Sequence, residues 1–224
     1  MSRRYYPLFV DLKGRRCVVV GGGAIAQRKA LALVRSGASV SVISPTVTPR
    51  LQAVARQGRL RHIARWVRSD DLRGSWLVIS ATNDPAINAR VARAAKRLRI
   101  FVNVVDQSAL CSFIAPAIFQ RGLLTVAFST AGASPLMAKR LRRAFARRLG
   151  GEHARMLRLL EALRPAVHAR LRLPAARKRY FESLLDGPLN QLVRRGDFNK
   201  ARQRAMRMLI RWRSHHGAAV ATHE

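Results

Sequence analysis

Residues 17–26 are Cys17-Val18-Val19-Val20-Gly21-Gly22-Gly23-Ala24-Ile25-Ala26. The four apolar residues predict a strand that is buried on both faces, as in a parallel sheet, and the glycines end it at once. From Ala24 the apolar residues recur at helical spacing as far as Gly37, and residues 38–44 predict a second strand. A strand, a glycine turn, a helix and a strand within about 30 residues fit one βαβ crossover.

The glycine turn matches the dinucleotide-binding pattern Gly-x-Gly-x-x-Gly, with alanine at the third position. Gly21 would permit the tight turn, Gly23 would let the backbone approach a pyrophosphate, and Ala26 would let the helix pack on the strand. The backbone amides at the start of that helix would then face the phosphates. We therefore predict that residues 15–106 form a nucleotide-binding domain that holds a dinucleotide, with NAD as the expected cofactor.

The ribose side of the site lacks its usual acid. About 20 residues after the glycines, where an acidic residue commonly binds the ribose hydroxyls, the sequence has Ser44-Pro45-Thr46. The hydroxyls of Ser44 or Thr46 would have to serve instead. This leaves NADP, or another nucleotide, open as the ligand, since Arg50 could reach a phosphate.

The pattern of alternating strands and helices continues to residue 106 and predicts a doubly wound, Rossmann-type parallel sheet of the α/β class. The further predicted elements are a short helix at 49–57, a strand at 60–64, a strand at 76–82, a helix at 85–98 and a strand at 100–105. Ligands bind at the carboxyl ends of the strands in such sheets. Thr82 and Asp106 are therefore candidate site residues.

Asp106 is the candidate catalytic residue. It is one of only 11 acidic residues, and it follows a mainly apolar strand at the carboxyl end, where a general base would lie. The alternative is an aspartate that caps a turn or pairs with a nearby arginine.

The architecture changes after Asp106. Residues 112–115 and 123–128 predict further strands, and Ser134-Pro135 begins a helix that ends before Gly150-Gly151. Only helices are predicted from there to about residue 212, with breaks near Pro165, near Pro174 and at 186–188. We expect four regions: an NAD-binding domain (1–115), a small α+β dimerisation segment (116–150), a helical domain (151–213) and a disordered tail (214–224).

The net charge of +32 is the most unusual global property. The excess of arginine and lysine is spread evenly over both halves, which argues against a localised nucleic-acid surface. A nucleotide-sensing module whose Arg-rich helical tail binds nucleic acid is nevertheless the alternative function. The two cysteines and the scattered histidines predict no metal site, and the absence of a signal peptide or membrane span predicts a cytoplasmic protein.

Taken in order, the motifs of the chain resemble the precorrin-2 dehydrogenase family, which includes the N-terminal module of siroheme synthases. The motifs that carry the resemblance are Tyr6-Pro7-Leu8-Phe9, Val19-Val20-Gly21-Gly22-Gly23 with Ala26, Arg28-Lys29-Ala30, Ser44-Pro45, Ala81-Thr82-Asn83-Asp84, Asn103-Val104-Val105-Asp106, Ser112-Phe113-Ile114-Ala115-Pro116 and Ser129-Thr130-Ala131-Gly132-Ala133-Ser134-Pro135.

The resemblance implies an enzyme that uses NAD to oxidise precorrin-2 to sirohydrochlorin and that, in several members, also inserts ferrous iron as a substrate to give siroheme. It implies a homodimer joined through the segment after Pro116, and the free-standing form without a methyltransferase module. Asp106 falls on the family's aspartate, which is implicated in both reactions. Ala24 and Ile25 fall on the turn over the pyrophosphate, and Pro45 and Thr46 fall on the ribose side.

Overall fold

The computed structural model describes residues 4–216 of the chain. These residues form two compact units, one that ends at Ala115 and one that begins at Pro116. The first unit contains a five-stranded sheet, and the second contains a two-stranded sheet and five helices.

The first unit alternates strands with helices, and all neighbouring strands of its sheet are parallel, in the order β3-β2-β1-β4-β5. This confirms the predicted Rossmann-type fold. The elements are β1 (Arg16–Val20), α1 (Ala24–Arg35), β2 (Ser39–Ile43), α2 (Pro49–Arg56), β3 (Arg61–Ile63), β4 (Leu77–Ser80), α3 (Pro85–Arg97) and β5 (Phe101–Val104), with short 3₁₀ turns at Ser69–Leu72 and Ser108–Leu110.

Strand β1 lies at the centre of the sheet because both of its faces are apolar. Cys17 and Val19 pack in the cluster that contains Ala26 and Ala30 of α1. The alternate residues Val18 and Val20 pack in the cluster that contains α3. Burying a valine side chain contributes on the order of 1.5–3 kcal/mol, so the apolar run of β1 stabilises both layers at once.

The chain reverses its direction of strand addition at β1. Strands β2 and β3 lie on one side of β1, whereas β4 and β5 lie on the other. Such a reversal leaves a crevice at the carboxyl ends of the two central strands, here β1 and β4, because the connections diverge there. The crevice positions the candidate site.

The second unit begins with an antiparallel hairpin of β6 (Ala117–Arg121) and β7 (Leu124–Phe128). Its two-residue turn contains Gly122 at a φ of +58°, which a hairpin turn of this length requires. The helices that follow are α4 (Pro135–Arg148), α5 (Gly151–Arg170), α6 (Pro174–Asp186), α7 (Leu189–Arg195) and α8 (Phe198–His216).

Helices α5 to α8 share one apolar core. Tyr180 is fully buried in it, and its hydroxyl donates a hydrogen bond to the Ala205 carbonyl at 2.8 Å. Burial raises the pKa of Tyr180 to about 12, so the phenol stays neutral at physiological pH. None of the described helices is both long enough and apolar enough to cross a membrane.

Two predicted features of the secondary structure are wrong. Residues 112–115 form no strand; instead, the Ser112 hydroxyl accepts the Val102 N–H at 2.8 Å, and the Phe113 carbonyl accepts from the Asn103 side chain. A side chain thus replaces the ladder bond that a sixth strand would need. Pro165 does not interrupt α5, because the buried residues Leu163 and Val167 on either side of it pack in the same core.

The predicted disordered tail, 214–224, falls mostly outside the described residues. Its first three positions, 214–216, are the last residues of α8, which corrects the prediction there. The role of residues 116–150 in dimerisation stays a prediction.

Candidate functional site

The glycine turn after β1 is packed so closely that two of its residues must lack a side chain. Gly21 has a φ of +111°, and a Cβ there would overlap the Ala81 carbonyl. A Cβ on Gly22 would overlap the Thr46 carbonyl, and the Gly22 carbonyl accepts the Thr48 N–H at 3.0 Å. The turn is therefore held against the segments that follow both β2 and β4.

Gly23 differs from its neighbours because it borders open space. A Cβ on Gly23 would meet no atom within 4 Å beyond those of its neighbours in the chain. Gly23 is also the N-cap of α1, where no side chain caps the helix and no acidic residue lies in the first turn. The amino end of α1 thus offers uncapped backbone N–H groups and a positive dipole end, with room for an anion. This fits the pyrophosphate of a dinucleotide.

These elements border a cleft of about 540 Å³. Six of the eight residues predicted to bind the cofactor line it: Gly21, Gly23, Ala24, Ile25, Ser44 and Thr82. Pro45 and Thr46 do not line it; Thr46 instead packs behind Gly22. Their contact with the ribose therefore stays a prediction.

A buried hydrogen-bond chain fixes the position of Thr82 in the cleft. The Ser80 hydroxyl donates to the Asn88 side-chain carbonyl at 2.7 Å, and the Asn88 amide donates to the Thr82 carbonyl at 3.1 Å. Asp84 then caps α3 through one carboxylate oxygen, which accepts the N–H groups of Ala86 and Ile87. Asp84 also lines the cleft, which sequence analysis did not predict.

Asp106 lies beyond the cleft lining, just after β5. Its φ is +59°, a left-handed conformation that aspartate tolerates better than most residues. The preceding residue is tied to β4, because the Val105 N–H donates to the Ser80 carbonyl at 2.9 Å. The side chain of Asp106 is exposed, so its carboxylate is available to a ligand at the carboxyl end of the sheet.

The thiol of Cys111 closes the turn that carries Asp106. Its sulfur accepts the Val104 N–H at 3.1 Å and lies 3.2 Å from the Val104 carbonyl. Cys17, in contrast, is buried in β1, and burial raises its pKa to about 11. Both cysteines therefore serve the packing of the first unit.

Lys29 is a charged group near Asp106 to which sequence analysis gave no role. It lies half-buried on α1, and desolvation lowers its pKa, as does the charge of Arg28. Asp106 and Cys111 act on the Lys29 pKa in the opposite direction. The signal in the sequence is its place in the motif Arg28-Lys29-Ala30, which follows the glycine turn.

Among residues 4–216, no three His, Cys, Asp or Glu side chains cluster so that they could hold a metal ion.

A two-bond ion pair fixes the loop after β3, which borders the cleft. The Arg65 guanidinium donates to both carboxylate oxygens of Asp71, at 2.8 and 2.6 Å. The same carboxylate accepts the Arg68 N–H at 2.7 Å. Trp66 and Val67 of this loop line the cleft, and sequence analysis missed both.

The ion pair makes the stability of the first unit depend on acid pH. The hydrogen bond from Arg65, assisted by the Arg68 N–H, lowers the pKa of Asp71 below its ordinary value of 3.8. Ionised Asp71 therefore stabilises the folded state above pH 4, and this contribution is lost as the pH falls through the lower folded pKa.

We expect Asp71→Asn to lower the thermal midpoint by a few degrees at pH 7 and by less below pH 4. Thermal unfolding of the wild type and of Asp71→Asn from pH 3 to pH 7 measures the difference between their midpoints. A difference that does not depend on pH would contradict the proposed role of the Asp71 charge.

Two family models match the chain. Residues 8–117 match a model described as putative NAD(P)-binding, and residues 152–209 match the sirohaem synthase dimerisation region. The first match assigns a nicotinamide dinucleotide to the unit that contains the cleft. The second covers helices α5 to α7 and most of α8, and it gives no support to a nucleic-acid-binding tail.

Curated relatives named siroheme synthase align with most of the chain. The relative from Nitrosospira multiformis is 40% identical over 193 residues, which are 84% of this chain and 41% of the relative. That from Methylobacillus flagellatus is 38% identical over 213 residues, 94% of this chain and 45% of the relative. The chain thus spans less than half the length of these relatives.

A solved structure has the same fold over nearly the full chain. The protein named SirC, precorrin-2 dehydrogenase, superimposes with a TM-score of 0.72 at 29% sequence identity, covering 89% of this chain and all of that one. This structural match agrees with the two family models and with the siroheme synthase relatives. The chain belongs to the precorrin-2 dehydrogenase and siroheme synthase family.

Proposed function

We propose that the chain oxidises precorrin-2 to sirohydrochlorin with NAD as the hydride acceptor. The observation that carries this proposal is the placement of a carboxylate, Asp106, after β5, the strand that neighbours β4 at the edge of the dinucleotide cleft. The name of the solved relative, precorrin-2 dehydrogenase, supports the substrate.

The residues around the cleft fit each part of the dinucleotide. The uncapped amino end of α1 and the open face of Gly23 would hold the pyrophosphate. Ser44 lines the cleft after β2, on the side where the ribose binds in this fold, and its hydroxyl would bind the ribose. We propose NAD rather than NADP, with Pro45 and Thr46 completing the ribose side.

Asp106 would take the proton that the oxidation releases. Oxidation of the reduced macrocycle removes a hydride and a proton, and the nicotinamide ring supplies the hydride acceptor. The exposed Asp106 carboxylate would accept the proton as a general base, held in place by its turn. Lys29 lies nearby, and the charge of Asp106 acts to raise its pKa.

We propose that the chain acts as a homodimer. The match of residues 152–209 to a dimerisation region supports this, and it adds the helices to the segment 116–150 as candidate interface. A monomer in sedimentation would contradict it.

Incubation with precorrin-2 and NAD tests the proposed function directly. We expect the absorption spectrum to change to that of sirohydrochlorin while NADH forms in equal amount, and more slowly when NADP replaces NAD. No reaction with either cofactor would refute the proposal. Addition of ferrous iron after completion tests for insertion: siroheme formed faster than without protein would assign that second activity to the same chain.

A further inference from the structure

Trp66 presents a large apolar surface at one end of the cleft. Its side chain is 64% exposed, although it lies in the compact first unit and lines the same cleft as the glycine turn. An indole is costly to leave in water, because transfer of apolar surface out of water is favourable. An indole at the mouth of a ligand cleft is available to cover a flat ligand.

The backbone around Trp66 is held in place. Arg65 forms its two-bond ion pair with Asp71, and the same guanidinium donates to the Trp66 carbonyl at 3.0 Å. The next residue, Val67, is buried in the core. A ligand that contacts the indole would therefore meet a loop whose backbone is already ordered, which lowers the entropic cost of binding.

The floor of the cleft at this end is apolar. Ile43 at the end of β2, Val67 and Ile87 on α3 are each at most 7% exposed, and all three line the cleft. Among the described residues, Asp84 is the only charged one in the cleft lining, and its carboxylate is engaged by the N–H groups of Ala86 and Ile87 at the start of α3. The surroundings suit an uncharged aromatic ring rather than a phosphate.

The order of the strands places Trp66 and Asp106 at opposite edges of the sheet. The loop of Trp66 follows the edge strand β3, Ser44 follows β2, the glycine turn follows β1, and Asp106 follows the other edge strand, β5. A dinucleotide whose pyrophosphate lies at β1 and whose nicotinamide lies toward β5 must direct its other base toward β2 and β3. Of the residues within 4–216 that line the cleft, Trp66 is the only aromatic one.

We propose that the indole of Trp66 stacks on the adenine ring of the dinucleotide and fixes the adenine half in the cleft. This inference rests on the proposed function, since it assumes that the cleft binds a dinucleotide in the direction given above. Trp66 is thus a binding residue for the cofactor and takes no part in the transfer of hydride or proton.

Calorimetric titrations with NAD and with ADP-ribose test the stacking, since both ligands contain the adenine half. We expect Trp66→Ala to raise the Kd of both ligands by the same factor, about 10-fold, because base–aromatic stacking is worth on the order of a tenfold change or more. Trp66→Phe keeps an aromatic face and should stay within about threefold of the wild type. In turnover, Trp66→Ala should raise the KM for NAD by a larger factor than it changes kcat.

Tryptophan fluorescence identifies which tryptophan contacts the adenine. The chain has three tryptophans. Trp76 lies just before β4, with the Arg15 guanidinium carbon 4.1 Å from its ring centroid, and Trp212 packs against Tyr180 in the second unit. We expect ADP-ribose to change the emission of the wild type and of the matched control Trp76→Phe, but not that of Trp66→Phe.

The possible failures are distinguishable. A Trp66→Ala protein that binds NAD and ADP-ribose as tightly as the wild type would overturn the stacking and leave the proposed function intact. An emission change that persists in Trp66→Phe would overturn it likewise. A wild-type protein that binds neither NAD nor NADP would refute the proposed function, and this inference with it.

Discussion

Asp106→Asn should lower kcat for the oxidation of precorrin-2 at least about 100-fold, because a positioned general base contributes roughly 10²- to 10⁴-fold to a rate. The amide has nearly the same shape as the carboxylate but accepts no proton at neutral pH. Asparagine also tolerates the left-handed conformation that residue 106 adopts, at a φ of +59°. The substitution therefore removes the base without disturbing the turn.

Three measurements separate the loss of the base from damage to the fold. For Asp106→Asn, the free energy of unfolding in urea should stay within about 0.5 kcal/mol of the wild type, as for an ordinary surface substitution. Its Kd for NAD should change less than twofold. Asp106→Ala should lose about 1 kcal/mol in addition, since alanine pays a steric cost at positive φ.

Asp84→Asn is the matched control. Asp84 is a second carboxylate after a strand of the same sheet, and it lines the cleft. A single one of its oxygens accepts both capping N–H groups, so an asparagine oxygen can replace it. We expect kcat of Asp84→Asn to stay near that of the wild type. If Asp106→Asn turned over at the wild-type rate, or if both variants failed alike, Asp106 would not be the base.

The parts of the fold that follow from local sequence periodicity were predictable. The run from Cys17 to Val20 is apolar at every position, which only a strand covered on both faces allows, and β1 is that strand. Likewise, Asp84-Pro85 and Ser134-Pro135 carry the capping group and the first helical residue in sequence, and α3 and α4 begin there. In these cases the deciding contacts lie within a few residues.

The errors arose where distant contacts decide. Residues 112–115 are apolar enough for a strand, but Ser112 takes the backbone N–H of Val102, which lies on β5. Pro165 ends most helices, but here α5 gains a continuous buried stripe against α7 and α8. Tertiary packing overrides the local preference in both.

The phosphate-binding side of the candidate site was predictable from the sequence. The side proposed to hold the adenine was not. The glycine pattern carries its own spacing, so Gly21 and Gly23 could be assigned from the sequence. Trp66, in contrast, follows a three-residue strand, and only the strand order brings it to the cleft. Its ion-paired neighbours, Arg65 and Asp71, are six residues apart with no periodic pattern between them.

Gly22→Ala and Gly23→Ala should separate the two functions of the glycine turn, although the substitutions are chemically identical. A methyl group on Gly22 would overlap the Thr46 carbonyl, so the segment after β2 must move. We expect Gly22→Ala to lower the free energy of unfolding by about 3 kcal/mol or more, at the upper end for overpacking. A methyl group on Gly23 meets no protein atom, so the cost should stay below about 1 kcal/mol.

For cofactor binding we expect the opposite order, with the larger effect from Gly23→Ala. Because Gly23 borders the open part of the cleft at the amino end of α1, its methyl group would hold the pyrophosphate away from the backbone N–H groups. We expect Gly23→Ala to raise the Kd for NAD about 10-fold or more in calorimetric titration, while its urea unfolding curve stays close to that of the wild type. A Gly23→Ala protein that binds NAD normally would place the phosphates elsewhere, and a Gly22→Ala protein of wild-type stability would contradict the packing of the turn against Thr46.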